Sequence, residues 1–276
     1  MKKLVVVGAG SMAEALISGI VESRLIKGDN IWVTNKGNEE KLQFMQKTYG
    51  VQATYNLEEI FKEAEAVILA MKPKDAADAI TLIKPYLNTE MLIISVLAGV
   101  SIESIELLAE RKLPVVRAMP NTSAAVGKSA SALSVNEKVS TEQMELVKEM
   151  FETVGMAAFV EEKQLDAVTG LSGSGPAYIY YLAEAMEKSA EEIGLEKEMA
   201  KEFIIQTLIG AAEMLAKSAK EPQQLRKEVT SPGGTTEAGV RVLEENGVQK
   251  AFIECIKEAT AQSKRLGHSF SSTVKI

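Results

Sequence analysis

The sequence predicts an α/β fold, in which a doubly wound N-terminal domain is followed by an all-α C-terminal domain. Up to residue 160, short runs of β-branched residues alternate with amphipathic helical patterns, as in β-α units around a parallel sheet. Beyond that point the apolar residues recur only at helical spacing. The charged stretch Glu161–Lys163 marks the change, so we predict two domains, residues 1–161 and residues 162–276.

The strands and helices follow from these patterns in chain order. The predicted strands are Leu4–Val7, Ile31–Thr34, Ala66–Ala70, Leu92–Ser95, Pro114–Ala118, Ala130–Ser134 and Met156–Val160. The helical patterns of the C-terminal domain span residues 164–194, 198–218, 222–229, 237–246 and 248–266. The residues from Ser269 to Ile276 are polar and weakly patterned, which predicts a loose tail.

Composition narrows the functional class. A formal net charge of −7 argues against nucleic acid as a partner, because binding a phosphate backbone requires clustered Lys and Arg. The longest apolar run, Met91–Val100, is about half a membrane span, so we predict no membrane segment. Cys255 is the single cysteine, which excludes an intrachain disulfide and predicts a reducing, cytoplasmic location. Its place in a helical pattern predicts that it is buried.

A glycine motif lies between the first strand and the first helical pattern. Its spacing is G-x-G-x-x-A, in the strand–turn–helix context that dinucleotide binding requires. Gly8 makes the turn, Gly10 lets the backbone approach a pyrophosphate, and Ala13 lets helix and strand pack closely. The alternative is a glycine-rich turn without a ligand. We predict a Rossmann-like domain that binds a dinucleotide through Gly8, Ala9, Gly10, Ser11, Met12 and Ala13.

The end of the second strand indicates which dinucleotide binds. NAD sites usually place Asp or Glu there, roughly 20 residues after the glycines, to bind the ribose 2′-hydroxyl. This chain has Asn35 and Lys36 instead, and an amide with an ammonium can hold a 2′-phosphate. We therefore predict NADP(H), with NAD(H) used less well. The alternative is that Lys36 is a solvated loop residue.

The segment Ser231–Thr236 joins two helical patterns of the C-terminal domain. Pro232 presets φ, and the two glycines after it leave the backbone uncovered. Thr235 and Thr236 fall at the start of the next helix, where hydroxyls cap free N–H groups and a small anion such as a carboxylate can bind. Two interpretations stay open from the residues alone: an ordinary capped turn, and a site for an acidic substrate.

These motifs resemble the pyrroline-5-carboxylate reductases, the enzymes that make proline, and the resemblance covers essentially the whole chain. The matching segments are Gly8–Ala13, Ala70–Pro73, Ala98–Val100, Met119–Thr122, Asp166–Tyr178 and Leu225–Val240. The resemblance implies NADPH-dependent reduction of 1-pyrroline-5-carboxylate to L-proline by hydride transfer, the last step of proline biosynthesis. The absence of an obvious acid–base group agrees, because the imine nitrogen can carry its proton before binding, whereas a ketone needs an acid near the alkoxide.

The resemblance also implies site residues. Thr236 is the expected catalytic residue, which orients the ring nitrogen, and Asn121 is expected to face the reaction site. The substrate carboxylate is expected at Ser231, Gly233, Gly234, Thr235 and Thr236. Further cofactor contacts are expected at Asn56, Ala70, Met71, Lys72, Pro73, Val96, Leu97 and Ala98. Asn56 also has the sequence context of a helix N-cap, and Lys72 has the alternative of a solvated lysine. We expect no metal site, and no catalytic role for His268.

Two questions concern the C-terminal domain. The run Gly170–Ala177 is rich in glycine and serine within a helical region, which favours either close helix packing or backbone near the ligand. The small-residue faces predict association, and the resemblance implies a homodimer through interlocked helical domains, with five dimers joining in a decamer. The site is expected to be completed near that interface.

Two other functions remain as alternatives. One is a β-hydroxyacid dehydrogenase, which resembles this architecture but relies on a lysine in the first long helix of the helical domain. That stretch has no lysine before Lys188, which counts against it. The other is a non-enzymatic dinucleotide sensor, which would leave the Ser231–Thr236 turn unexplained.

Overall fold

The computed structural model describes residues 1–274 and contains one eight-stranded sheet. The strands are β1 (Leu4–Val7), β2 (Ile31–Thr34), β3 (Gln52–Ala53), β4 (Ala66–Leu69), β5 (Leu92–Ser95), β6 (Val115–Met119), β7 (Ser129–Val135) and β8 (Gly155–Phe159). Their order is β3-β2-β1-β4-β5-β6-β7-β8, and β6 and β7 are the antiparallel neighbours in an otherwise parallel sheet. Each predicted strand is present within two residues of its expected bounds.

The helices of the first half alternate with these strands. They are α1 (Ser11–Glu22), α2 (Glu39–Tyr49), α3 (Leu57–Phe61), α4 (Ala76–Ile83), α5 (Ile102–Ala109) and α6 (Thr141–Glu152). Between residues 165 and 274 the chain forms helices joined by turns, as predicted. These helices are α7 (Leu165–Val168), a π-helical turn (Thr169–Gly173), α8 (Gly175–Glu192), α9 (Lys197–Lys217), α10 (Pro222–Glu228), α11 (Thr235–Glu245) and α12 (Val248–Val274). Within residues 1–274 no helix is both long and apolar enough to cross a membrane.

Strand β1 lies between β2 and β4 and is buried on both faces. Leu4 and Val6 belong to one apolar cluster, whereas Val5 and Val7 belong to a second cluster. Because successive side chains of a strand point to opposite faces, this single strand contributes to both layers. Full burial of each large aliphatic side chain contributes roughly 1.5–3 kcal/mol. The chain leaves β1 for β2 on one side and later returns for β4 on the other, which makes β1 the switch point of the sheet.

Two details of the sheet were not predicted. Strand β3 is two residues long, too short to show any alternation in the sequence. Strand β7 runs antiparallel to β6 because residues 120–128, which include a 3-10 turn at Thr122–Val126, join them directly. A parallel return needs a crossover of about a dozen residues or more, usually a helix.

Two predictions about the C-terminal part are wrong. The tail is helical through Val274 because Phe270 packs against the second apolar cluster and the Ser271 hydroxyl lies 3.1 Å from that of Ser104. The last two residues of that predicted tail, 275 and 276, lie outside the described residues. Cys255 is exposed in the single chain rather than buried.

Contacts divide the chain into two compact units. Unit 1 comprises Met1–Pro176 together with Lys257–Ile276, and unit 2 comprises Ala177–Ile256. The sheet ends at Phe159, while the contacts keep residues 162–176 with the sheet. The domain boundary after residue 161 therefore stays a prediction.

Replacing Gly155 by alanine tests the junction between β7 and β8. Gly155 has φ +152°, and a Cβ there would overlap the backbone of Ser129. Gly37 is the matched control, since its φ is +153° but a Cβ would meet nothing within 4 Å. We expect the backbone cost of about 1–3 kcal/mol in both variants. Gly155→Ala should lose clearly more, because two strands must separate. Urea unfolding measures both losses, and equal losses would contradict this packing.

Candidate active site

The loop after β1 brings backbone close to backbone. The Gly8 N–H donates to the Thr34 carbonyl at 2.8 Å. A Cβ on Gly8 would lie 2.6 Å from the Ala70 carbonyl and 2.7 Å from the Met71 nitrogen. Only glycine fits there, so the ends of β1, β2 and β4 meet without an intervening side chain.

The start of α1 is open. Gly10 is the N-cap residue, no side chain caps the helix, and a Cβ on Gly10 would meet nothing within 4 Å. The first N–H groups of a helix lack helical partners and carry the positive end of its dipole. Ala13 is fully buried against the sheet. These features fit a dinucleotide pyrophosphate, which needs bare backbone and anion-binding N–H groups.

An acidic side chain in the first turn of α1 is neutralised. The Glu14 carboxylate is 2.5 Å from the Lys41 ammonium and accepts a hydrogen bond of 3.1 Å from the Tyr49 hydroxyl. Burial raises the pKa of Tyr49, and its hydrogen bond to Glu14 raises that pKa further. The sequence analysis did not identify this cluster, because its three members come from the two ends of α2 and from α1.

The Asn35 side chain is hydrogen-bonded within the loop after β2. The Asn35 amide N–H donates to the Asn38 carbonyl at 2.7 Å, and its oxygen accepts from the N–H of Gly37 and of Asn38. The Tyr55 hydroxyl also donates to that oxygen, at 3.2 Å. The Asn35 side chain thus shapes the loop in this structure, and its contact with a cofactor phosphate stays a prediction.

Lys36 lies at the rim of a cavity of about 350 Å³. Its ammonium is 3.3 Å from the Asp75 carboxylate, and its side chain is 84% exposed. The cavity is also lined by Gly8, Tyr55 and Met71, so the glycine loop and the loops after β2 and β4 share one space. That is the carboxyl edge of the sheet, where doubly wound folds bind ligands.

The other predicted cofactor residues occupy neighbouring loops of unit 1. The Asn56 side chain accepts from the Glu59 N–H at 3.2 Å and caps α3, as its sequence context predicted. Pro73 starts a 3-10 turn, with exposed Lys72 before it. After β5 the Leu97 side chain is buried in the second cluster, while Val96 and Ala98 are half-buried. Their contacts with a cofactor stay predictions.

Asn121 is engaged within unit 1. Its amide N–H donates to the Ser172 carbonyl at 3.0 Å, and its oxygen accepts from the Ser123 N–H at 3.1 Å. Asn121 thus ties the end of β6 to the π-helical turn. Its place at the reaction site stays a prediction.

The glycine-rich run forms that π-helical turn. A Cβ on Gly173 would lie 2.8 Å from the Met119 Cε, the far end of a flexible side chain that can move aside. Such turns occur frequently at functional sites. Both interpretations of the run, close helix packing and backbone near the ligand, stay predictions.

In unit 2, the turn before α11 presents open backbone. Gly234 is the N-cap residue and no side chain caps the helix, so the expectation that threonine hydroxyls cap it is wrong. Thr235 and Thr236 are exposed in its first turn, where N–H groups lack helical partners. The Gly234 N–H donates to the Ser231 carbonyl at 3.0 Å.

The Gly233 N–H is already bound in this turn. It donates to the Glu237 carboxylate at 2.7 Å, so a carboxylate of the protein occupies one group that was predicted for the substrate. Binding of a carboxylate by the N–H groups of Thr235 and Thr236 stays a prediction. No signal in the sequence indicated Glu237.

Comparisons with known proteins agree with this arrangement. Residues 3–99 match the family described as "NADP oxidoreductase coenzyme F420-dependent", and residues 162–266 match "Pyrroline-5-carboxylate reductase dimerisation". Pyrroline-5-carboxylate reductase 2 of Bacillus subtilis (strain 168) is 49% identical over 271 residues, which cover 98% of this chain and 97% of that protein.

Solved structures give the same result. The Plasmodium falciparum pyrroline carboxylate reductase with NADP bound has a TM-score of 0.87 at 30% identity, and covers 96% of this chain and 98% of its own. The pyrroline-5-carboxylate reductase of Coxiella burnetii has a TM-score of 0.87 at 35% identity, with the same coverage. On these similarities over nearly its full length, the chain belongs to the pyrroline-5-carboxylate reductase family.

Proposed function

We propose that this chain reduces 1-pyrroline-5-carboxylate to L-proline with NADPH, by hydride transfer to the cyclic imine carbon, as the last step of proline biosynthesis. Family membership over nearly the whole chain is the observation that supports both the activity and the use of NADP(H). The two alternatives, a β-hydroxyacid dehydrogenase and a dinucleotide sensor, are not favoured, because the full-length relatives are reductases of this family. The three functions are separated by measuring NADPH consumption with pyrroline-5-carboxylate, NADPH formation with a 3-hydroxyacid and NADP⁺, and the absence of either reaction in buffer alone.

The residues of unit 1 would hold the cofactor. The open N-terminus of α1 binds the pyrophosphate, and bare Gly10 lets it approach the backbone. Lys36 binds the 2′-phosphate. The loops Ala70–Pro73 and Val96–Ala98 contact the ribose and nicotinamide through their backbone. When bound, the nicotinamide supplies the hydride.

The turn of unit 2 would hold the substrate. The N–H groups of Thr235 and Thr236 bind the carboxylate, with Ser231 and Gly234 shaping the turn. The Thr236 hydroxyl orients the ring nitrogen. The imine nitrogen is protonated before it binds, so hydride addition at carbon moves the C=N electron pair to nitrogen and gives the amine directly. No acid–base side chain is required, and positioning lowers the barrier.

We propose that unit 2 forms a homodimer. Of its apolar side chains, all of which the structure describes, only Ala190, Ala200 and Ile204 are buried. Tyr181 is 77% exposed and Phe203 is 59% exposed. Soluble monomers rarely leave large contiguous apolar patches uncovered, and the matching family profile is a dimerisation profile. We further propose that five dimers assemble into a decamer. The proposed location of the protein is the cytoplasm.

Replacing Gly10 by valine tests the pyrophosphate site. The space around Gly10 is open and its φ is −79°, so a side chain costs the fold little. We expect NADPH affinity to fall at least about tenfold, because the side chain stands where the backbone must meet the pyrophosphate. Isothermal calorimetry with NADPH measures the affinity, and thermal denaturation confirms an unchanged fold. Unchanged affinity in a folded variant would contradict the assignment.

Replacing Thr236 by alanine tests the substrate turn. Loss of a hydrogen bond to a charged group costs roughly 1.5–3 kcal/mol, a tenfold to hundredfold loss in kcat/KM for the imine. The NADPH dissociation constant should stay the same. Thr236→Ser keeps the hydroxyl and should restore most of the activity. If Thr236→Ala instead lowers the melting temperature and leaves kcat/KM intact, the turn is only structural. Gly234→Val should be more harmful, since a Cβ on Gly234 already lies 3.0 Å from the Ser231 carbonyl.

Replacing Tyr181 by glutamate tests the dimer. A charge at this exposed position would be buried in the interface, so we expect monomers by light scattering and loss of activity. Phe44→Glu is the control, because Phe44 is an exposed aromatic residue on α2 of unit 1. If the Tyr181→Glu protein remains dimeric, the dimer interface does not include Tyr181.

A further inference from the structure

An acidic side chain lies in the cofactor cavity, although the end of β2 lacks one. Asp75 follows β4, in the turn Pro73–Asp75, and its carboxylate is 3.3 Å from the Lys36 ammonium. In the sheet, β1 separates β2 from β4. The pair therefore joins the loops on either side of the glycine turn, and both residues line the cavity that Gly8 also lines.

The Asp75 carboxylate is directed to Lys36 rather than to its own helix. Asp75 ends the 3-10 turn Pro73–Asp75 and directly precedes α4, with helical backbone angles (φ −96°, ψ 0°). Its carboxylate caps no N–H group of α4 and contacts the Lys36 ammonium. The Asp75 side chain is 29% exposed, whereas that of Lys36 is 84% exposed. An exposed pair of this kind contributes little to stability, so the fold does not require it.

We propose that Asp75 is a specificity-determining residue, which competes with the cofactor 2′-phosphate for Lys36 and thereby limits the preference for NADPH over NADH. This inference rests on the proposed function. The 2′-phosphate carries about −1.5 to −2 charges, so it must displace Asp75 from the ammonium and then remain near a like charge. NADH has a hydroxyl at this position, which can donate to the Asp75 carboxylate, as the acid of an NAD site does.

The substitution Asp75→Asn removes the charge and keeps the shape. Asparagine is as good an N-cap residue as aspartate, so α4 should be retained. Asp78→Asn is the matched control. Asp78 lines the same cavity from the first turn of α4, and its substitution removes the same charge.

Binding to the cofactor-free protein is measured by calorimetry with two probes, 2′,5′-ADP and 5′-ADP. We expect Asp75→Asn to tighten 2′,5′-ADP by roughly three- to tenfold and to leave 5′-ADP equal or weaker. In the complete assay, the NADPH to NADH ratio of kcat/KM should rise by a similar factor. Asp78→Asn should change either quantity less than about twofold, since its carboxylate does not hold Lys36.

Two outcomes would overturn the inference. Weaker or unchanged binding of 2′,5′-ADP by Asp75→Asn would mean that Asp75 positions Lys36 for the phosphate or has no effect on it. An equal gain in Asp78→Asn would mean a general effect of charge in the cavity. Failure of the proposed function is distinct, because it would appear as a native chain that does not reduce pyrroline-5-carboxylate with either cofactor.

Discussion

The contact between Gly8 and the backbone at Ala70 is the constraint on which the carboxyl edge of the sheet depends. A Cβ on Gly8 would lie only 2.6 Å from the Ala70 carbonyl. The backbone after β1 therefore packs directly against the backbone after β4. The Gly8 N–H is bonded on its other side to the Thr34 carbonyl of β2. The ends of β1, β2 and β4 are thus in direct backbone contact. Because all three run parallel, their loops converge at one edge and form the cavity.

Charge in that cavity is arranged by the same geometry. Lys36 and Asp75 are far apart in sequence but meet because their strands flank β1. Glu14, which would otherwise place a negative charge in the first turn of α1, is neutralised by Lys41. The N-terminal end of α1 therefore keeps its positive character, while Asp75 and Asp78 remain as acidic groups of the cavity. The cavity therefore combines the exposed Lys36 ammonium with a paired carboxylate, Asp75.

The two units differ in how their apolar residues are used. In unit 1 the sheet is covered on both faces, and two clusters bury nearly all large aliphatic side chains of its strands. In unit 2 the helices bury few apolar side chains and expose residues such as Tyr181. A helix that is apolar beyond one stripe needs neighbours on several sides. The exposed apolar side chains of unit 2 are therefore those of a helical unit that associates with another chain. The match of residues 162–266 to a dimerisation family agrees with this.

The sequence by itself determined the strands, the helical second half and the glycine loop, because alternation, helical spacing and turn chemistry are local properties. It also determined the family, since the motifs are contiguous segments. Only the tertiary structure decided the antiparallel return of β7, the helical tail held by Phe270, and the roles of Asn35 and Asn121 as backbone ligands. The tertiary structure also decided the ion pair of Asp75 with Lys36 and the hydrogen bond from the Gly233 N–H to the Glu237 carboxylate. The physical reason is that a side chain's partner is fixed by which strand and loop ends are adjacent in space, and spacing along the chain does not contain that information.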